Sequence, residues 1–250
     1  MPKISIITAN LNNAAGLRET IKSVESQTYT DFEYIIIDGD STDGSVDVIK
    51  NYSEKITFWL SEPDNGIYDA LNKGVKFAKG EWVVFMNSGD LFNDNNVFLQ
   101  IFSNEIETST DILYGNTIVK ESNKKIKPPA KINKNFFFFE TICHQSLFFK
   151  RNIFEILGYH NLNYKIISDR EFLIRAIIRN FKFTYIDIDV CLWEAEGLSS
   201  KNVNILNNEF TNMKNIYFNI LEQILLHLEK KFSSYTDKVL YKMCNKTSLK

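Results

Sequence analysis

Cysteine is scarce in this 250-residue chain: Cys143, Cys191 and Cys244 lie far apart, are odd in number and show no CxxC spacing. That pattern supports neither a disulfide framework nor a structural zinc site, and a reducing compartment fits it best. Long apolar runs are also missing. No stretch of 18 apolar residues occurs, and no charged start is followed by an apolar segment. Neither a spanning helix nor a secretory signal is therefore expected, and the expected location is the cytoplasm. Charge of one sign is not in excess, with 29 basic residues against 31 acidic ones. The chain thus offers no global field for nucleic acid, and a small substrate is expected. Two nucleotide-binding signatures are absent as well: there is no GxxxxGK[ST], and no GxGxxG after the first strand. A P-loop enzyme and a dinucleotide dehydrogenase are both disfavoured.

What is present is an alternation. "ISIITA" (4–9) reads as a strand, and Asn13 caps a helix whose Leu17, Ile21 and Val24 recur at helical spacing. "FEYIIID" (32–38) is a second strand, a helix begins near Ser41, "ITFWL" (56–60) is a third strand, and a helix with Ile67, Leu71, Val75 and Ala78 on one face stops at Gly80. Then comes "EWVVFMNSGDLFND" (81–94), apolar on both faces until Asn87. Such a run marks a central strand of a covered sheet. Strand and helix in alternation mean crossover units and a mostly parallel sheet with helices on both faces. In such sheets ligands sit beyond the carboxyl ends of the strands, which makes Asp90 a candidate site residue.

The second half is less regular. Strands are expected over 111–122, 144–151 and 181–190, a helix over 168–180, and a mobile loop over the lysine-rich "KKIKPPAKINK" (124–134). "FFFF" (136–139) is expected in the core; exposed beside that loop, it would instead suit a membrane interface. From about Asn202 onward only helical periodicity remains, with Ile205, Phe210, Met213, Ile216, Ile220, Ile224 and Leu228 forming a stripe. The expected organisation is a catalytic domain over 1–200 and a helical appendage over 201–250. The appendage and its "EQILLHLEKKF" suit peripheral contact with the inner face of the cell membrane, or a homodimer.

Polar turns follow four successive strands: "TANLNN", "IDGDSTDGS", "EPDNGIYDALNKG" and "NSGD". With parallel strands all four meet at one edge. These turns, with "HQSLFFKR", "SDREFLIRA" and "EGLSS" (196–200), resemble the blocks of the inverting GT-A glycosyltransferases of the large bacterial family 2 type, which build surface polysaccharides. The resemblance covers about residues 3–200. It implies transfer of a sugar from a nucleotide donor, a UDP-sugar first, to a hydroxyl of a glycan or lipid-linked acceptor. It also implies a divalent cation, Mn2+ or Mg2+, and a GT-A α/β fold.

Carried over residue by residue, the resemblance implies that Thr8, Asn10 and Asp38 line a uridine pocket, and that Asp64, Asn72 and Lys73 lie near base and diphosphate. Asp90 is the metal ligand, His144 a diphosphate or acceptor contact, and Asp169 the base. The wording departs from the commonest form in two places. Gly39 separates Asp38 from Asp40, leaving open which acid meets the base, and the metal motif keeps one carboxylate. One is enough where phosphate oxygens and water fill the remaining sites. Plainer readings stand beside these: Asp38 as a turn residue, Lys73 as a solvated helix lysine, His144 as a structural histidine, Asp169 as a helix cap, and Asp90 as the cap of the helix near 95–101, for which Asp94 is better placed. Glu171 is the reserve base, on a different helix face from Asp169. Two other functions fit the pattern less well: a nucleotide-sugar-binding module without catalysis, and a nucleotidyltransferase. The latter would want a basic, glycine-rich first turn.

Overall fold

A computed structural model describes residues 1–103, 105–194 and 202–231. The "EGLSS" block at 196–200 and Cys244 lie outside the described residues. The first half runs β1 (Ile4–Asn10), α1 (Ala14–Glu25), β2 (Phe32–Asp38), α2 (Ser45–Asn51), β3 (Phe58–Ser61), α3 (Ile67–Phe77) and β4 (Trp82–Phe85). The expected cap is in place, with Asn13 Oδ1 accepting from the Gly16 N–H at 3.1 Å. Leu17, Ile21 and Val24 are buried, as their spacing requires. Ile4, Ile6, Tyr34 and Ile36 share one cluster with the apolar sides of α1 and α2. Residues of opposite parity therefore face the other side of the sheet. There α3 packs on β1 and β2.

The second half adds β5 (Leu91–Phe92), α4 (Val97–Phe102), β6 (Ile112–Val119), β7 (Lys124–Ile126), α5 (Phe136–Phe139), β8 (Leu147–Lys150), α6 (Ile153–Leu157), α7 (Ser168–Ile178), β9 (Phe183–Trp193) and α8 (Val203–Tyr217). The strand order is β3-β2-β1-β4-β8-β6-β9-β5, with β7 on the flank of β6. From β3 to β4 every pairing is parallel. Beyond β4 the sheet is mixed, because β8 runs antiparallel to both β4 and β6 while β9 is parallel to β6. No crossover helix delivers β8. It enters from a short 3-10 turn, His144–Ser146, at the carboxyl end of β4 and must run back the other way.

In this half the expectation of a mobile loop changes, and that of a core position for 136–139 holds. The segment expected as a mobile loop begins as β7, and its Lys125 and Lys127 pair with Asp189 and Asp187 of β9 at 2.6 and 2.8 Å. In α5, Phe137 and Phe138 are fully buried, so this segment is core. Neither Asp90 nor Asp94 caps α4 by its side chain, although Asp94 Oδ1 accepts from the Asn96 N–H at 2.7 Å just before it.

The chain divides into two compact units, Met1–Leu206 and one beginning at Asn207. In the second, helix continues to Tyr217 and resumes over 220–231. Met213, Phe218 and Leu226 are buried, whereas Ile216, Ile220, Ile224 and Leu228 of the apolar stripe are exposed. Among the described residues no helix is long and apolar enough to cross a membrane.

Candidate active site

Parallel pairing in register sets Asn10, Asp38 and Ser61 side by side at the carboxyl ends of β1, β2 and β3. The Asp38 carboxylate is buried and accepts four bonds: from Asn10 Nδ2 (2.7 Å), Ser41 Oγ (2.6 Å), Ser41 N (3.0 Å) and Ser61 Oγ (2.7 Å). Burial alone would raise its pKa, but donors from Ser41, Ser61 and Asn10 outweigh it and hold the group below its ordinary value. Asp40 is exposed, in the left-handed region at φ 63°. The inward-facing acid is Asp38. Asn10 Oδ1, although buried, has no hydrogen-bond partner among the described residues. Thr8 lies deeper. Its hydroxyl donates to the Met86 carbonyl at 2.7 Å and meets the Tyr34 phenol at 3.0 Å, so it ties β1 to its neighbours inside the sheet.

Asp64 reaches the same rim from beyond β3. Its Oδ1 accepts from the Gly66 N–H at 2.8 Å, and its Oδ2 would stand 2.6 Å from any Cβ at position 39. A side chain at position 39 would have to displace the Asp64 carboxylate. Asn72 and Lys73 are engaged with neighbouring groups. Asn72 is buried and holds the His160 backbone through both amide groups, 2.9 Å each. Lys73 Nζ bridges Glu62 (2.8 Å) and Asp69 (3.5 Å) and donates to the Pro63 carbonyl. Burial would lower its pKa, but the two acids raise it.

After β4, Thr20 of α1 fixes the turn, accepting from the Gly89 N–H and donating to the Asp90 carbonyl, 2.9 Å each. Gly89 has φ 104°, which a side chain resists. The Asp90 carboxylate is buried; its Oδ2 accepts from Gln145 Nε2, and its Oδ1 is held by a long 3.5 Å contact from the Glu194 N–H. The Glu194 carboxylate also lies beside Gly89. Burial pushes Asp90 up to about 6 against the Gln145 and Glu194 hydrogen bonds, with the Glu194 charge adding to the rise.

His144, beside Gln145, is buried with its ring stacked on Phe85 at 4.7 Å, and its Nε2 has no partner among the described residues. Burial lowers its pKa, opposed by the charge of Asp169. Asp169 lies in the first turn of α7 and accepts from the Tyr68 phenol at 2.8 Å. Glu171, in contrast, is buried and gripped by Arg175 Nε at 2.9 and 3.0 Å. Its place is in the packing of α7. Gln145 thus holds Asp90 while neighbouring His144 feels the charge of Asp169, linking acids from the two halves of the chain. Gln145, Glu194 and Tyr68 are absent from the sequence candidates, although Gln145 and Tyr68 stand inside motifs quoted there.

A cavity of about 230 Å³ adjoins this turn, lined among others by Pro129, Phe136, Glu140, Thr141 and Cys143. Another, of about 390 Å³, lies at the opposite ends of β1 and β4, around Lys3, Glu81, Trp82 and Lys150. Carboxyl ends of parallel strands are where such folds hold ligands, and the smaller cavity borders the turn at the carboxyl end of β4.

The family model described as "Glycosyl transferase family 2" matches residues 5–167. A PGL/p-HBAD biosynthesis glycosyltransferase of Mycobacterium bovis is 33% identical over 216 residues, covering 84% of this chain and 82% of that protein. An uncharacterized glycosyltransferase of Methanocaldococcus jannaschii is 28% identical over 201 residues, covering 74% and 68%. Among solved structures, S. aureus TarS 1-349 in complex with UDP-GlcNAc superposes with TM-score 0.67 at 18% identity, over 78% of this chain and 59% of that one. The mannosyltransferase PcManGT from Pyrobaculum calidifontis, in complex with GDP-Man and Mn2+, gives 0.65 at 18%, over 81% and 60%. The fold is the mixed α/β sheet of the GT-A glycosyltransferases, and the chain belongs to glycosyltransferase family 2.

Proposed function

We propose that this glycosyltransferase transfers a sugar, with inversion, from a nucleoside diphosphate donor to a hydroxyl of a glycan or lipid-linked saccharide. UDP is the favoured nucleotide: Asp38 is buried, ionised and at the strand tips, suited to accept from an imide N–H or a ribose hydroxyl. The unsatisfied Asn10 Oδ1 beside it offers a second acceptor. A nucleoside diphosphate sugar is also what the TarS and PcManGT complexes hold.

The observation that carries the reading is that adjacent residues meet both acids, Gln145 bonding Asp90 and His144 feeling the charge of Asp169. Asp169 takes the proton from the acceptor hydroxyl as its oxygen bonds to the anomeric carbon, and the bond from that carbon to the diphosphate breaks on the opposite face. Holding hydroxyl, carbon and leaving oxygen in line supplies much of the rate. The 230 Å³ cavity beside Cys143 is the acceptor side.

Among the described residues no three His, Cys, Asp or Glu side chains form a metal cluster. A buried carboxylate raised to about 6, with a second acid beside it, is nevertheless a fitting partial set for Mn2+ or Mg2+ whose other ligands are phosphate oxygens. When bound, a divalent cation neutralises the charge developing on the leaving diphosphate. Asp90 would hold it, with Glu194 adjacent and Gln145 orienting the carboxylate. The free thiols of Cys143 and Cys191 suit the cytoplasm as the location.

The test is Asp169→Asn, for which transfer should fall by about 10²–10⁴-fold while nucleotide binding persists; wild-type transfer would remove Asp169 as the base. The single-carboxylate metal motif favours one alternative, a nucleotide-sugar-binding module without catalysis. Metal-dependent UDP binding without turnover across donors and acceptors would select it.

A further inference from the structure

The lysine-rich segment around β7 is fastened across the sheet. β7 pairs with one edge of β6 and β9 with the other, so Lys125 and Lys127 reach over β6 to Asp189 at 2.6 Å and Asp187 at 2.8 Å. Between the two acids stands Asn116, fully buried, whose Nδ2 donates to Asp187 Oδ1 at 3.0 Å and to Asp189 Oδ1 at 2.9 Å. The Tyr185 phenol meets Asn116 Oδ1 at 2.7 Å and Asp187 Oδ1 at 2.9 Å, which completes the network. Carboxylates two residues apart on a strand share a face and repel each other. A like-charge pair is a costly anchor for a three-residue strand. The register of β6 against β9 also shifts on both sides of Asn116, and irregularities of this kind re-aim side chains beside functional sites.

What the two lysines hold is a wall. Lys127 is followed by Pro128 and Pro129, whose rings fix their own φ angles, and the Tyr114 phenol donates to the Pro129 carbonyl at 2.9 Å. Ile126, Lys127, Pro128 and Pro129 line the cavity beside Cys143, whereas Lys125, Asp187 and Asp189 do not. A shift of the ion pairs therefore moves the wall with little slack between them. We propose that Asp187 and Asp189 are positioning residues for the sugar acceptor: through Lys127 and Lys125 they set where the 126–129 wall stands, and with it how tightly the acceptor seats. This rests on the reading of that cavity as the acceptor side. Both ion pairs are partly exposed, so they hold the wall in place without locking it.

Asp187→Asn/Asp189→Asn keeps the shapes and removes both charges at positions outside the cavity. Lys125→Gln breaks one pair from the other side, and Lys125→Arg/Lys127→Arg keeps the charges. Hydrogen exchange over 124–134 in the full chain should quicken in the neutral variants and match the wild type in the arginine one. Initial rates of UDP release are then measured with a panel of UDP-sugars, alone and with octyl β-glycosides as acceptors. The neutral variants should show an acceptor KM raised several-fold, with kcat, donor KM and donor hydrolysis unchanged, while the arginine variant keeps wild-type values. Added salt should raise the acceptor KM of the wild type and leave that of the double asparagine variant where it is. Should the double asparagine variant melt early, Lys125→Gln, at an exposed residue, carries the comparison. Unchanged exchange in the neutral variants overturns the proposal, and so does quickened exchange with an unchanged acceptor KM. Donor hydrolysis that no glycoside accelerates overturns the acceptor role. No UDP release by the wild type from any donor would instead sink the transferase reading, and the acceptor role with it, a result distinct from the others.

Discussion

Tyr68, in the first turn of α3, donates its phenol to Asp169 Oδ1 at 2.8 Å and to the Ile166 carbonyl at 2.6 Å. One hydrogen is shared between two acceptors, so the phenol aims the carboxylate more than it neutralises it. A group held this way reacts from one orientation.

Replacing Tyr68 with Phe keeps the ring, which stacks on His160 at 5.4 Å, and deletes the donor. With Asp169 as the proposed base, the expected outcome is a fall in kcat of about tenfold with the donor KM unchanged, since only the orientation of its carboxylate is loosened. Steady-state kinetics decide it. A rise in donor KM at constant kcat would assign Tyr68 to nucleotide binding instead.

Asp90→Asn keeps the shape and removes the charge. In thermal-shift measurements the wild-type melting temperature should rise further with UDP plus Mn2+ than with UDP alone, and the variant should lose that increment. An increment retained in full would show that Asp90 holds no cation.

Position 39 is predicted to be coupled to position 64. Gly39→Ala would push the Asp64 carboxylate aside and should destabilise the chain by about 1 kcal/mol or less. In the Asp64→Ala background the same change should cost much less. Urea denaturation of the four proteins in the cycle measures the difference, and additive costs would contradict the contact.

Stability should also depend on pH through two buried rings. Burial is the first cause lowering both His144 and His160, the latter well below 6.5. The native state keeps them neutral while the unfolded chain takes up protons near the ordinary value. This contribution is fully present above about pH 6.5 and is lost as pH falls below it, at up to 1.4 kcal/mol per pH unit per ring. His160→Phe, among Phe85, Phe154 and Phe172, should flatten that slope. Urea midpoints near pH 7.5 and 5.5 for both proteins provide the check; equal losses would mean His160 does not titrate.

The first half of the fold was legible because its signals are local. The cap at Asn13, the helical spacing of Leu17, Ile21 and Val24, and a β4 apolar on both faces each report burial directly. Strand direction is not encoded that way. Three apolar residues at 147–149 read the same in a parallel or an antiparallel strand, so the reversal at β8 could not be seen. The rim acids Asp38, Asp64 and Asp90 stood out as polar residues at strand tips, but what their neighbours do with them depended on partners distant in sequence. Asn72 is held by His160, Thr8 by Met86, and Asp90 by Gln145. The stripe in the tail was visible as periodicity, but periodicity does not tell whether a face looks inward.

The reversal of β8 has a structural corollary for diversification. Because the strand starts where β4 ends, Gln145 stays moored to Asp90 whatever precedes it. The exposed stretch around β7 can vary while that mooring remains, because Phe137 and Phe138 anchor the following segment in the core.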